Sequence, residues 1–239
     1  MAMVFQDPMS SLNPVQTVLH QIREALQVHS KLNAARQIER AVELLDLVGI
    51  PNAAKRADDY PHQFSGGMRQ RAVIAMAVAN NPELLIADEP TTALDVTVQA
   101  QILELLGRLR RELNMGIVLI THDLGVVAGM ADRIAVMYAG RIMELGAVDD
   151  VFYESRNPYT RGLLASLPRP DLDEASLTPI AGAPPSLINL PSGCAFNPRC
   201  PFAQDVCRVD DPVLRLVGKT HTACHFAEQL SSNHQAHQN

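Results

Sequence analysis

The protein has 239 residues, of which 47% are hydrophobic, enough for one sizeable domain with a large core and a small appendage. Its 20 basic and 26 acidic side chains give a net charge of −6, which argues against nucleic acid as the main partner. No apolar stretch approaches the roughly 20 residues that span a bilayer, and no basic-then-apolar leader opens the chain, so we expect a soluble, cytosolic protein.

The first part of the chain predicts a short strand, a polar loop and two amphipathic helices. Residues 2–5 are apolar, and a proline-bracketed polar loop follows them. Asn13 followed by proline is typical of a helix start, and a second helix is predicted to begin after Asn33 and to end at Gly49. The apolar stripes of these helices are Val15, Val18, Leu19, Ile22 and Leu26, and then Ile38, Ala41, Val42, Leu45 and Val48. We expect the two helices to form a compact insert.

A glycine pair stands at the start of the next predicted helix. Ser65 can cap this helix, and Gly66 and Gly67 leave its first backbone amides uncovered, so an anionic phosphate could approach them. The alternative is an ordinary cap with a loose first turn, because glycine in a helix costs stability relative to alanine. Residues 72–79 are apolar on all sides, which predicts a helix buried against a sheet.

Two adjacent carboxylates end an apolar run between prolines. Residues 84–87 favour a strand buried on both faces, and Asp88 and Glu89 follow it directly. Open α/β sheets bind ligands at this edge of their strands. Asp88 could hold Mg²⁺ through its oxygen atoms, and Glu89 could orient or deprotonate a water molecule. The alternative is that the two acids merely end a strand in solvent.

A βαβ unit continues from this strand. Asp95 leads into an amphipathic helix, and residues 117–120 predict a second buried strand that ends just before His122. This order predicts a parallel sheet, so His122 should lie at the same edge as Glu89. A histidine at a strand end is more often structural, but a neighbouring candidate catalytic acid favours a chemical role.

The rest of the chain predicts a hairpin at the edge of the same sheet, a short helix and then a change of composition. The hairpin comprises residues 134–138 and 141–145, and the helix lies around 148–153. Residues 168–201 are rich in proline and predict a linker or an extended wrap, and the polar residues 231–239 are expected to be disordered.

All four cysteines lie close together in the last part of the chain. In a reducing compartment such a cluster suggests a metal site before disulfides. Four thiolates could bind a [4Fe–4S] cluster or tetrahedral zinc, and two histidines beside the last cysteine are alternative ligands. Free thiols or disulfides remain open as well. The candidate ligands are Cys194, Cys200, Cys207 and Cys224.

Four segments stand in one order along the chain: 64–71, 84–90, 93–95 and 121–123. They resemble the signature motif, the Walker B motif with its glutamate, the D-loop and the switch histidine of an ABC-type ATPase. Gln6 is similarly placed to the glutamine of the Q-loop. The segment 6–14, the Asn-Pro-Tyr-Thr sequence at 157–160 and the cysteine-containing tail are similar to the ATPase subunits of dipeptide, oligopeptide and nickel importers.

The resemblance implies an α/β fold. It implies a partial ABC-type nucleotide-binding domain with a mostly parallel sheet, flanking helices and a helical insert, together with a small cysteine-containing C-terminal module. The implied domains are 1–155, with a helical subdomain at about 14–80, then an importer-type extension at 156–228 and a disordered tail at 229–239.

The resemblance also implies a head-to-tail dimer in which two ATP molecules lie between two ATPase domains. Ser65, Gly66 and Gly67 would touch the γ-phosphate of the ATP bound to the partner, with Met68 in the same turn. Asp95 would tie the two sites across the dimer.

Four further residues take roles from the same resemblance, with ATP and Mg²⁺ as cofactors. Asp88 would bind Mg²⁺ through water, and Glu89 would polarise the attacking water. His122 would contact the γ-phosphate, and Gln6 would sense the γ-phosphate and Mg²⁺. Members of the resembled family are associated with an iron–sulfur cluster at the cysteine module.

One feature of the family is missing from the printed sequence. The phosphate loop G-x-x-x-x-G-K-[ST], which the family places before the Q-loop, does not occur. We therefore expect an N-terminally truncated product that binds ATP poorly and hydrolyses it negligibly by itself.

The predicted function is that of an energy-coupling ATP-binding subunit of a peptide importer, peripheral on the cytoplasmic face of the inner membrane. Its expected partners are a second ABC ATPase subunit, two membrane permease subunits and, indirectly, a peptide-binding protein. The alternatives are a soluble ABC-type ATPase acting on nucleic acid and a non-catalytic fragment that lends its signature motif to a partner.

Overall fold

The computed structural model describes residues 1–92, 94–167 and 179–230. These residues belong to two compact units that divide between His122 and Asp123. The hairpin predicted near residue 140 belongs to the second unit, because it pairs with a strand from the C-terminal part of the chain. The boundary expected at residue 155 stays a prediction. Ala93 of the expected D-loop, the start of the proline-rich stretch at 168–178 and the tail from residue 231 lie outside the described residues.

The first unit is built on a three-stranded parallel sheet with the order β1-β2-β3. Val4 of the first strand pairs with Ala87 of the second, and Asp88 pairs with Ile120 of the third. The elements of this unit are β1 (Ala2–Val4), α1 (Pro8–Ser11), α2 (Val18–His29), α3 (Ala34–Leu47), α4 (Ala53–Arg56), a 3-10 turn (Pro61–Gln63), α5 (Gly66–Val78), β2 (Leu84–Asp88), α6 (Val96–Glu112) and β3 (Gly116–Ile120). The α/β fold with parallel strands that the sequence predicts for this part of the chain is present.

The parallel sheet has one buried face and one partly exposed face. Leu85 and Ala87 of β2 are fully buried. On the opposite face, Met3, Val118 and Ile120 are exposed by 39%, 47% and 45%. The prediction that β2 and β3 are buried on both faces is therefore wrong, because an all-apolar strand sequence does not reveal which face lacks a covering element.

The helical insert begins later than predicted. Thr17, not Asn13, caps α2, since its side chain accepts a hydrogen bond from the His20 amide. The buried side chain of Gln21 exchanges hydrogen bonds with the Asn13 backbone, at 2.8 and 3.0 Å, and so holds the preceding segment as a turn. Val15 is consequently 78% exposed and does not belong to the apolar stripe.

Helix α5 is anchored to the end of the insert. Ser65 caps α5 as predicted, and α3 begins after Asn33 as predicted, with the Asn33 side chain as its cap. The guanidinium of Arg71 donates to the Val48 carbonyl, and Arg108 of α6 donates to the neighbouring Leu47 carbonyl at 2.7 Å. Because both carbonyls lie at the C-terminal end of α3, two cations meet the negative end of a helix dipole there.

The second unit is built on a four-stranded antiparallel sheet with the order β4-β5-β7-β6. Its elements are α7 (Leu124–Met130), β4 (Arg133–Tyr138), β5 (Arg141–Ala147), α8 (Val148–Glu154), α9 (Pro158–Ala165), a 3-10 turn (Asn197–Arg199), α10 (Asp205–Val209), β6 (Arg215–Val217) and β7 (Thr220–Thr222). The hairpin β4–β5 forms as predicted, with Ala139 and Gly140 in the left-handed region. Its predicted place at the edge of the parallel sheet is wrong, because β5 pairs with β7.

A buried carboxylate joins the strands of the second unit. Glu144 of β5 is fully buried and accepts hydrogen bonds from the hydroxyls of Ser155, Thr220 and Thr222 at 2.6, 3.0 and 3.2 Å. The backbone amide of Arg156 donates to it at 2.8 Å. A buried charge is stable only when such donors surround it, so Glu144 ties β5, β7 and the segment before α9 into one structure.

Candidate active site

Glu89 lies immediately after β2, at the carboxyl edge of the parallel sheet. Its amide donates to the Ile120 carbonyl at 2.9 Å, which continues the pairing of β2 with β3 by one residue. Its φ of 43° places a non-glycine residue in the left-handed region. This backbone conformation is unfavourable for a residue with a side chain and is concentrated at functional sites.

Three polar side chains converge on the Glu89 carboxylate. Oε2 accepts hydrogen bonds from Gln6 Nε2 at 2.8 Å and from Thr92 Oγ1 at 2.7 Å. Oε1 lies 3.2 Å from Nδ1 of His122. Gln6 follows β1 and His122 follows β3, so the parallel strand order brings both to the residue that follows the central strand.

These contacts keep the Glu89 carboxyl group ionised. Hydrogen bonding, first from Thr92 and then from His122, lowers the pKa of Glu89 below its ordinary value. The Glu89 side chain is 25% exposed and that of His122 is 73% exposed, so water and a ligand can reach both. An ionised carboxylate that is open to solvent can accept a proton from, or orient, an attacking water molecule.

Asp88 supplies a second carboxylate at the same edge, as the last residue of β2. Within the three described stretches, no group of three or more His, Cys, Asp or Glu residues could hold a metal ion. Mg²⁺ is commonly bound through one or two carboxylates, water and substrate phosphates. The donor set at Asp88 and Glu89 therefore fits a magnesium–nucleotide complex better than a site made by protein ligands alone.

The turn of residues 65–68, which resembles the ABC signature motif and is called the signature turn below, lies at the start of α5. The hydroxyl of Ser65 accepts a hydrogen bond from the Met68 amide at 3.3 Å, and both Ser65 and Gly66 are exposed. Asp95 caps the neighbouring helix α6 by accepting from the Val98 amide at 3.0 Å. The turn can therefore present backbone amides to an anion from another molecule.

The structure brings Gln6, Glu89 and His122 together and places the signature residues at a separate helix start. Thr92 also belongs to the first group, although no sequence motif predicted it. Thr92 stands three residues after Glu89, and its amide donates to the Glu89 carbonyl at 3.3 Å. This turn brings the Thr92 hydroxyl to the Glu89 carboxylate, so the three-residue spacing was the signal in the sequence.

The four cysteines of the second unit are free thiols that line one cavity. Burial raises the pKa of the Cys194, Cys200 and Cys224 thiols, that of Cys224 to about 11. Charge repulsion from one or more of the other cysteines also raises the pKa of each of these three thiols, because the cysteines lie near one another around the cavity. In the present arrangement they do not form a metal-ligand group, so the expected iron–sulfur or zinc site is not supported by the geometry.

Family models match two parts of the chain. The model described as ABC transporter matches residues 1–92. The model described as oligopeptide/dipeptide transporter, C-terminal region, matches residues 143–207.

Curated relatives match almost the whole chain. The dipeptide transport ATP-binding protein of Bacillus subtilis is 52% identical over 98% of this chain and 70% of its own length. The oligopeptide transport ATP-binding protein of Salmonella typhimurium is 55% identical over 89% of this chain and 63% of its own length. The chain thus spans about two thirds of the length of the curated relatives that it matches.

Solved structures match part of the chain. A dimeric ATP-binding cassette in a post-hydrolysis state with ADP and phosphate aligns with a TM-score of 0.54 at 32% identity, over 62% of each chain. A component of an ABC transporter complex from Clostridium perfringens aligns with a TM-score of 0.56 at 32% identity, over 63% of this chain and 58% of its own. Across the residues that the structure covers, every helix is too short or too polar to cross a bilayer.

Proposed function

This chain belongs to the ATP-binding proteins of ABC transporters of the oligopeptide/dipeptide type, and we propose that it is an energy-coupling ATP-binding subunit of a peptide importer. The observation that carries the proposal is the convergence of Gln6 and His122 on the Glu89 carboxylate. Relatives that are named for peptide transport and are more than 50% identical support the substrate class.

ATP hydrolysis needs a group that holds the attacking water in line with the γ-phosphate. Glu89 is ionised and reachable, so it is suited to accept a hydrogen bond from that water. Both carboxylate oxygens already have protein partners, and the water therefore competes with Gln6 or Thr92 for Oε2. His122 is suited to contact the γ-phosphate from the other side of the carboxylate.

Magnesium would supply charge neutralisation to the phosphates when ATP is bound. Asp88, at the end of β2, is the residue proposed to hold it through a water molecule. Gln6 would respond to the same ion and to the γ-phosphate, because its amide lies at the edge of the Glu89 site.

The signature turn is proposed to serve the ATP of a neighbouring cassette. Ser65, Gly66 and Gly67 stand at the start of a 13-residue helix, where the helix dipole and free amides favour a phosphate. Met68 belongs to this turn, and Asp95 at the start of α6 is proposed to contact the partner cassette. A solved relative with ADP and phosphate is a dimer, which supports this arrangement.

We propose that the residues that hold the β- and γ-phosphates are not among those of the printed sequence. No G-x-x-x-x-G-K-[ST] loop occurs among the 239 residues, and this loop supplies the amides and lysine that hold the β- and γ-phosphates. We therefore propose that the chain contributes to two ATP sites. Its signature turn completes the site of a neighbouring cassette, and Glu89 and His122 hold the attacking water in the other.

The proposed partners are a second ATP-binding subunit, two permease subunits and, through them, a peptide-binding protein. The chain would lie peripherally at the cytoplasmic face of the inner membrane. Its net charge of −6 and the names of its relatives argue against the alternative of an ATPase acting on nucleic acid.

A metal at the four-cysteine cavity is proposed from the chemistry of the thiols alone, because among the described residues their present arrangement does not form a ligand group. Four thiols line one cavity and are of a donor type that binds iron–sulfur clusters or zinc, and a bound cation would lower the raised pKa values of Cys194, Cys200 and Cys224. A brown protein after anaerobic purification would support a cluster, and a colourless protein with one zinc per chain would support zinc. A colourless protein without metal would contradict both.

The function is tested by assembling the chain with a second ATP-binding subunit and the two permeases in proteoliposomes. The expected result is ATP hydrolysis that peptide stimulates and that Ser65→Arg abolishes, since the new side chain blocks the signature turn. Ser186→Arg, at an exposed position of the second unit, is the matched control and should retain the rate. Failure of the wild-type chain to assemble, or full activity of Ser65→Arg, would contradict the proposal.

A further inference from the structure

The two glycines of the signature turn have different surroundings. A β-carbon added to Gly67 would lie 2.7 Å from Cγ1 of Val98, closer than such atoms approach in folded proteins. A β-carbon added to Gly66 would meet only Cδ2 of Leu94, at the ordinary contact distance of 3.7 Å. The fold therefore excludes a side chain at Gly67 and accommodates one at Gly66.

The backbone itself does not require glycine at either position. Both residues lie in the first turn of α5, and neither has a positive φ. Alanine is favoured over glycine in a helix, so propensity also argues against glycine here. A neighbouring group must explain Gly67, and that group is the Val98 side chain.

Val98 is held in place at the start of α6. Its amide donates to the carboxylate of Asp95, the residue that caps this helix. A β-branched side chain in a helix has essentially one rotamer, so Val98 cannot easily turn away from Gly67.

We propose that Val98 is a positioning residue for the signature turn. By packing directly on Gly67, it fixes how far the first turn of α5 stands from α6, and so where the Met68 amide and the Ser65 cap lie. Gly67 is then required by this contact within the chain, whereas Gly66 is left open for the approach of a phosphate. The role of the turn in binding a partner's ATP rests on the proposed function.

The contact is tested in the isolated full chain by hydrogen exchange of the Met68 amide. Gly67→Ala should accelerate this exchange about tenfold, the effect of a moderately overpacked contact. Adding Val98→Ala to Gly67→Ala should restore the wild-type rate, and Gly66→Ala should leave it unchanged. Should Gly67→Ala fail to fold, recovery of a folded chain in the double variant gives the same answer.

Two controls separate this contact from general effects of the substitutions. Gly107→Ala places a β-carbon 3.8 Å from Arg111 Nη1 and should not change the exchange rate. Val42→Ala, in α3, should not rescue Gly67→Ala. Equal exchange rates in Gly67→Ala and Gly67→Ala/Val98→Ala, or an unfolded double variant, would overturn the inference.

ATP hydrolysis by the assembled importer supplies the second measurement. Gly66→Ala and Gly67→Ala should both lose ATPase activity. Adding Val98→Ala should restore the activity of Gly67→Ala but not that of Gly66→Ala. An inactive double variant in an otherwise active complex would show that Val98 does not position the turn for ATP. An inactive wild-type complex would instead count against the proposed function, while the exchange result would still decide the contact.

Discussion

Glu89 is the residue on which the proposed chemistry depends, and its neighbours favour its ionised form. Thr92, His122 and Gln6 all favour the carboxylate over the neutral acid. Because the pKa is lowered in the folded chain, the group adds stability above its ordinary pKa. That stability is lost as the pH falls through the lowered value. The Glu89 carboxylate is therefore ionised at neutral pH and can accept a hydrogen bond from a water molecule.

Thr92→Val removes the hydrogen bond that contributes most to this effect. The pKa of Glu89 should rise towards its ordinary value, because the hydroxyl of Thr92 no longer stabilises the carboxylate. Carbon-13 NMR titration of the carboxyl groups measures the change, with Glu89→Gln to assign the signal. Thr97→Val, at an exposed position of α6, serves as the control, and an unchanged Glu89 pKa in Thr92→Val would contradict this explanation.

Cys224 provides a second prediction at the residue scale. In the metal-free chain its pKa of about 11 keeps the thiol neutral, so alkylation at pH 8 should be much slower in the folded chain than in the unfolded one. The unfolded thiol, with a pKa of 9.0, ionises first. The folded state should therefore lose stability as the pH rises from 9 towards 11. Peptide mass spectrometry after alkylation measures the rate, and equal rates in the two states would contradict the predicted burial.

Individual elements show which features of the fold a sequence can predict. The caps at Ser65 and Asn33 and the hairpin at Ala139 were predictable, because each depends on a local hydrogen bond or on a tight turn. The start of α2 was not, because the choice between Asn13 and Thr17 is made by the buried side chain of Gln21. Local preference gives way there to a contact in the folded chain.

The same distinction applies to the candidate site. Glu89 and His122 could be brought together from the strand pattern, because parallel strands align their carboxyl ends, whereas Gln6 was assigned to the site only by the family resemblance. The sequence could not predict that Val118 is exposed or that β5 of the hairpin pairs with β7. Both features depend on which distant part of the chain lies alongside. The packing of Val98 on Gly67 is likewise a tertiary contact.

Glu144 gives a prediction for the second sheet. Glu144→Ala removes the shared acceptor of four hydrogen bonds in the interior of this unit and should lower the free energy of unfolding by about 3 kcal/mol. Urea denaturation followed by tyrosine fluorescence measures this, because Tyr138 and Tyr159 lie in this unit.

Glu154→Ala is the matched control for the same measurement. Glu154 pairs with Lys219 in solvent, where water can replace the partner, so its loss should have a much smaller effect. Similar losses of stability in the two variants would show that the Glu144 hydrogen bonds do not hold the second sheet together.

At the scale of the whole molecule, the isolated chain should bind ATP weakly and hydrolyse it negligibly. Phosphoryl transfer depends on positioning and charge neutralisation, and the sequence contains no phosphate loop to provide them. A coupled assay of released phosphate on the purified chain measures the rate. Turnover at a rate typical of an enzyme, abolished by Glu89→Gln, would show that this expectation is wrong.

The central claim is that the chain completes a nucleotide site on a neighbouring cassette through its signature turn. The most direct measurement is sedimentation of the chain with an intact ATP-binding subunit whose own catalytic glutamate has been replaced, with and without ATP. We expect a complex that forms only with ATP and is lost in Ser65→Arg but kept in Ser186→Arg. A complex that forms equally well without ATP, or that Ser65→Arg leaves unchanged, would contradict it.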